Sequence, residues 1–167
     1  MTSAAVETAR HPSNPIDLVE EIVLANEWRH DRASDEEMVV EVCGRWCDYR
    51  LLFVWHRELS ALHFSCNFEM KVPRPRRAAV YELLAAVNER LWFGHFDLAP
   101  ADQSPSFRYG IMLRGAPGAS AEQIEDLVDI ALTECERFYP AFQFVVWGGK
   151  SAEEAIAQAM IDPIGEA

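Results

Sequence analysis

Apolar and polar residues follow one another along the chain with two periods, near 3.6 and 2, and the changes between them mark the elements. Asn14-Pro15 reads as a helix N-cap followed by proline at the first helical position, where its missing N–H costs nothing. Leu18, Val19, Ile22, Val23 and Ala25 then form one stripe, predicting a helix over 15–26. A charged stretch from Glu27 to Glu37 leads to Met38, Val40 and Val42, and Gly44-Arg45-Trp46 turns the chain into Tyr49, Leu51, Phe53 and Trp55. Two such runs around a short polar turn predict a hairpin. The clearest alternation follows, with Leu62, Phe64, Cys66, Phe68 and Met70 on one face and His63, Ser65, Asn67 and Glu69 on the other, a strand wet on one side. Leu52 and Val54 give the preceding strand apolar residues on its second face too, so that strand is central or something covers that face.

Pro73 and Pro75 end the meander, and Val80, Leu83, Leu84, Val87 and Leu91 repeat at helical spacing until Gly94, read as the helix stop. Strands are predicted at His95–Leu98 and around Phe107–Leu113, joined by a loop over 100–105. Ser120 and Gln123 form a capping box for a third helix, with Ile124, Leu127, Val128, Ala131, Cys135 and Phe138 on its apolar stripe. Pro140 is expected to break or kink it. The run over 142–147 fits a strand by length and a continued buried helix by position, and helix is the preferred reading. Gly148-Gly149 then closes that helix, and Ser151 with Glu154 caps a last one. The order α-β-β-β-α-β-β-α-α defines an α+β fold, an antiparallel sheet with helices packed on one face. A single domain over 14–162 is expected, between a disordered segment at 1–13 and a tail at 163–167.

Half of the 167 residues are apolar, enough for one real core. The net charge of −12 argues against general nucleic-acid binding, which needs basic surface to displace counterions from phosphate. The first thirteen residues hold no apolar signal core, and no later run is long enough to span a bilayer, so the expected compartment is the cytoplasm, with no membrane partner. Cys43, Cys47, Cys66 and Cys135 lie in apolar periodic segments and read as reduced, buried thiols.

Candidate chemistry changes this picture little. Gly148-Gly149-Lys150-Ser151 ends like a phosphate loop, but the position that needs the first glycine is Phe144. Gly115, Gly118 and Ser120 precede a helix N-terminus that could hold an anion, though a strand-to-helix loop wants the same residues. Cys43, Cys47, His63 and Cys66 do not converge as zinc ligands, because strand parity puts His63 and Cys66 on opposite faces. No nucleophile elbow or metal-binding histidine frame is present, and no cofactor, metal or catalytic residue is assigned. Two features stand out as partner contacts. One is the basic cluster Lys71, Arg74, Arg76 and Arg77 in an acidic chain; the other is Trp46, placed in a polar turn where a core role is least natural.

Four strings, Arg45-Trp46-Cys47-Asp48-Tyr49, Phe68-Glu69-Met70-Lys71-Val72-Pro73, the segment from Asn88 to Phe96 and the segment from Cys135 to Gln143, together resemble the YbjN family of bacterial proteins. The resemblance implies a fold like that of type III secretion chaperones and a regulatory role in sensory transduction. No site residue travels with it. Chaperone-like architecture implies dimerisation and protein binding, so the expected function is that of a non-enzymatic, homodimeric adaptor or regulator with a protein partner. The competing expectation is a small-molecule sensor or an enzyme with a scattered site near Trp92 and His95.

Overall fold

A computed structural model describes residues 11–161. Six antiparallel strands form one sheet in the order β1-β2-β3-β4-β6-β5: β1 Arg29–Ser34, β2 Glu37–Cys43, β3 Asp48–His56, β4 Ala61–Asn67, β5 His95–Leu98 and β6 Pro105–Met112. Helices α1 (Pro15–Ala25), α2 (Arg77–Asn88), α3 (Ala121–Val146) and α4 (Ala152–Ile161) complete the chain. The α+β class holds, with one strand more than the hydrophobic pattern predicts.

That extra strand is β1, whose sequence Arg-His-Asp-Arg-Ala-Ser has no apolar alternation. It is an edge strand, and charges on an edge deter unwanted pairing with other chains. Arg32 fastens it to α1, donating to Asp17 Oδ1 at 2.7 Å and Glu20 Oε2 at 2.6 Å. The register slips between Arg32 and Ser34, which further blunts the edge.

Local signals set most boundaries. Asn14 Oδ1 accepts from the Ile16 N–H, and the Ser120–Gln123 capping box is complete in both directions. At the far end, Gly149 takes φ +65°, and Ser151 and Glu154 form the box that opens α4. So Gly148-Gly149-Lys150-Ser151 serves as a helix stop and a cap. Residues 142–146 are helical, and Pro140 lies inside α3 without ending it. Gly94 is a correction: α2 ends at Asn88, and Gly94 instead starts the approach to β5. Its φ is +66°, and a Cβ there would fall 2.8 Å from the Arg108 carbonyl oxygen, so glycine is required twice over.

The alternation over 62–70 appears in the burial, since Leu62, Phe64, Cys66, Phe68 and Met70 are all at most 4% exposed. They face the helices together with Val40, Leu51, Phe53 and Phe107. Phe68 and Phe96 sit at the centre of an aromatic cluster with Phe138, Tyr139 and Phe142 of α3, ring centroids 5.3–6.0 Å apart. The thiols follow the same division. Cys66 and Cys135 are fully buried, Sγ to Sγ 3.6 Å, and burial pushes the Cys135 thiol well up; Cys47 is half-buried, and Cys43 is a correction, exposed because the parity of β2 that buries Val40 and Val42 turns it outward. The expected tail at 163–167 and most of the expected disorder at 1–13 lie outside the described residues; of the latter, Ser13 donates its N–H to Pro117 O at 2.9 Å.

Candidate functional site

The helices pack on one face of the sheet and leave the other open. On that open face strand pairing places Val39 directly opposite Leu52, with Val54 two residues further along β3. All three are half-buried. Apolar residues at the centre of an uncovered sheet face are the less common finding, since such faces usually alternate to polar. The two-sided pattern of β3 fits its central place in the sheet, but among the described residues no helix covers the outer side.

A wall rises beside this floor. Past Asn67 the chain runs on with a bend at Glu69, anchored by the buried Phe68, Met70 and Val72, while Glu69 and Lys71 are exposed. The tight loop between β5 and β6 docks against it, with Phe68 N–H donating to Pro105 O and Val72 N–H to Gln103 O, each at 3.0 Å. Ser104 holds Asp102 on this loop through Oγ at 2.6 Å, and that hydrogen bond keeps the Asp102 carboxyl below its usual range. Floor and wall enclose a trough of about 680 Å3, open to solvent along its length. Five carboxylates line it against two cations, Arg50 and Lys71. A second open hollow, about 530 Å3, lies between α2 and α4.

The structure divides the sequence-predicted contact residues. Lys71 and Arg74 are exposed, and Lys71 lines the trough. Arg76 is turned into the body, donating from Nε to Val145 O at 2.9 Å and from Nη2 to Lys150 O at 3.1 Å. It thus satisfies the Val145 carbonyl left over at the end of α3 and the Lys150 carbonyl in the loop before α4. Arg77 is half-buried, its Nε without a hydrogen-bond partner. We expect Arg76→Ala to lower unfolding free energy by about 1–2 kcal/mol, because charged hydrogen bonds to buried carbonyls are lost. Arg74→Ala should change it by less than about 0.5 kcal/mol. Equal urea midpoints for the two variants would contradict this division.

Trp46 is 37% exposed and held by α3: its indole N–H donates to Glu136 O at 3.2 Å, and its ring stacks on Tyr139 with centroids 6.3 Å apart. The neighbouring Arg45 N–H donates to Glu136 Oε1 at 2.9 Å. Beneath this turn the Tyr49 hydroxyl is buried beside Glu136 without hydrogen-bond geometry, and desolvation first, then that carboxylate, push its ionisation up. No signal in the local sequence ties Trp46 to a residue 90 positions away.

Towards β5 the open face no longer carries an excess of carboxylates. His56, His63, His95 and Arg108 gather there, with Arg108 Nη2 3.3 Å from His63 Nε2 and Nη1 3.4 Å from Asp97. Partial burial, reinforced by the charge of Arg108, lowers the His63 imidazolium below its ordinary 6.5. The folded state therefore binds this proton less well than the unfolded chain, so stability present above pH 6.5 is lost as pH falls through the lowered folded value. Urea midpoints measured from pH 7.5 down to 5 should fall for the native chain and fall less for His63→Gln. An identical acid slope in the variant would remove His63 as the cause. Trp92 stands 94% exposed and His95 faces solvent, so these two frame no enclosed pocket. Among the described residues no three His, Cys, Asp or Glu side chains converge to hold a metal, and no helix is long and apolar enough to cross a membrane.

No curated protein matches the chain in sequence. Among solved structures, YbjN from E. coli, described as "a putative transcription regulator", superimposes with a TM-score of 0.52 at 11% identity, over 77% of this chain and 90% of that one. At this identity the likeness concerns the fold. The sequence profile of the YbjN family, described as "Putative bacterial sensory transduction regulator", matches residues 15–144, from the first turn of α1 nearly to the end of α3. The chain belongs to the YbjN family.

Proposed function

We propose that this protein is a non-enzymatic adaptor or regulator that holds a partner protein on the open face of its sheet, in the manner of a chaperone, within bacterial sensory transduction. The observation that carries the reading is the Val39–Leu52 pair, apolar and uncovered on the floor of an open trough. Burying such a pair against a partner gains roughly 25 cal/mol per Å2 of apolar surface. A small-molecule site usually encloses most of its ligand, and this trough is open, which favours a macromolecular segment. The family description supports a regulatory role and names no partner.

Native capture with the tagged full chain tests it. A stoichiometric partner should be retained by the wild type and lost with Leu52→Asp, a change on the solvent side of β3 that the core does not feel. Retention by both, or by neither across growth states, would sink the reading.

The same proposal includes a homodimer. β6 runs on past β5, which pairs only with residues 105–108, so among the described residues one side of Tyr109–Met112 has no strand partner. Trp92, Phe93 and Met112, 94%, 54% and 68% exposed, lie in the loop entering β5 and at the end of β6. Two such edges can pair antiparallel about a twofold axis. Light scattering should return twice the 18.9 kDa chain mass, and Met112→Glu should halve it. A monomeric wild type would refute the dimer and leave the trough untouched.

A further inference from the structure

We propose that the segment seated in the trough is an extended, basic stretch of the partner, with an apolar side chain over Val39 and Leu52 and lysine or arginine beside it. The inference rests on the partner-binding reading and adds the chemistry of the partner.

Three observations carry it. First, the acid is placed around the apolar pair. Glu37 and Glu41 flank Val39 at two-residue spacing on the same face of β2, and Glu69 and Asp102 stand on the wall opposite. Second, that charge is poorly neutralised from within. Glu41 lies between Arg29 on β1 and Arg50 on β3, yet it meets only Arg29, at 3.5 Å with both groups exposed, and a pair of that kind contributes little. Glu37 and Glu69 make no ion pair among the described residues, and Arg50 and Lys71 offset only part of the excess. Third, the acid is concentrated at the trough, because on the β4–β6–β5 side of the same face Asp97 is met by Arg108 at 3.4 Å, alongside His56, His63 and His95. A cationic segment is therefore drawn to the trough end of the face. An acidic segment meets like charge in the trough as well as a chain of net charge −12.

The floor also sets the backbone of the occupant. Val39 and Leu52 form a single cross-strand spot, with Glu37 and Glu41 two residues to either side of Val39 on β2 and Arg50 and Val54 two residues to either side of Leu52 on β3, a period an extended chain can match with alternate side chains. A small polyamine would satisfy the charge and leave the apolar pair uncovered.

Fluorescence anisotropy on the full-length protein with synthetic peptides tests the assignment. The probes are a peptide of about nine residues alternating valine or leucine with lysine, and its counterpart with glutamate in place of lysine. The lysine peptide should bind at about 0.15 M salt and weaken as salt rises. Glu37→Lys with Glu69→Lys should weaken it about tenfold or more, since two attractions become repulsions. Leu52→Asp should also weaken it. Glu125→Lys with Asp129→Lys, two exposed acids on α3, should leave it unchanged, and spermidine should compete poorly. Equal losses from both charge-reversed pairs would show diffuse attraction to an acidic protein and overturn the proposal. Tighter, Leu52-dependent binding of the glutamate peptide would overturn the basic assignment and leave partner binding in the trough standing. Binding of neither peptide also overturns the assignment, and capture of a Leu52-dependent partner then decides whether the broader reading survives.

Discussion

Phe96→Ala is expected to remove about 3–5 kcal/mol of stability, the usual range for deleting a buried aromatic ring. Phe96 is 2% exposed and touches Phe68, Phe107, Phe138 and Phe142, with centroids 5.4–6.0 Å away. It therefore joins four pieces of the molecule: the short strand β5, its neighbour β6, the wall of the trough and the centre of α3. Removing the ring leaves a cavity that none of these can collapse into without moving the others. β5 has only four residues and pairs on one side alone, so its place in the sheet depends on this packing. Phe93→Ala, three residues earlier and 54% exposed, should cost less than about 1 kcal/mol. Urea denaturation of both variants reads the contrast; a small loss for Phe96→Ala would mean the aromatic cluster is not the keystone the geometry makes it.

Much of this packing is legible in the chain because it is periodic. The run from Leu62 to Met70 is alternate for nine residues and keeps its apolar face inward even where the ladder has ended and only the wall continues it, although Ser65 on the other face is buried as well. Capping residues worked for the same reason: Asn14, Ser120 and Ser151 act on amides two or three residues away, within reach of local inspection. β1 was illegible because nothing in it is apolar; its place is fixed by pairing with β2 and by ion pairs to α1. Gly94 misled because a glycine after a helical stripe looks like a stop, while its φ and its closeness to Arg108 serve the entry to β5.

The trough was half legible. Leu52 and Val54 announced a second apolar face, but whether that face is covered depends on where the helices go, a tertiary fact. The wall arises from a backbone contact between residues 68–72 and 103–105, over thirty positions apart in sequence, with no side-chain signature. The basic cluster shows the opposite failure. Four cations close in sequence look like one patch, yet the turn at Arg74–Arg76 sends them to different places, and Arg76 ends against carbonyls at the end of α3 and in the loop after it.

Trp46 and Pro140 illustrate how two residues that look anomalous alone explain one another. Proline has no N–H, so within α3 the carbonyl of Glu136, four residues earlier, loses its helical donor. The indole N–H of Trp46 supplies one at 3.2 Å, and the ring lies parallel to Tyr139 beside it. Trp46→Ala should therefore cost about 2 kcal/mol, combining a lost stack with an unpaired carbonyl. Trp46→Phe keeps the stack and should cost about 1 kcal/mol. Pro140→Ala restores a backbone donor to Glu136, so in the Trp46→Phe background it should recover part of that loss, and the cycle of the two substitutions should be non-additive. Additive effects would break the link between them. An unchanged denaturation midpoint for Trp46→Ala would show that the ring contributes nothing to the fold, and its exposed third would then count in favour of the partner contact that its place in a polar turn first suggested.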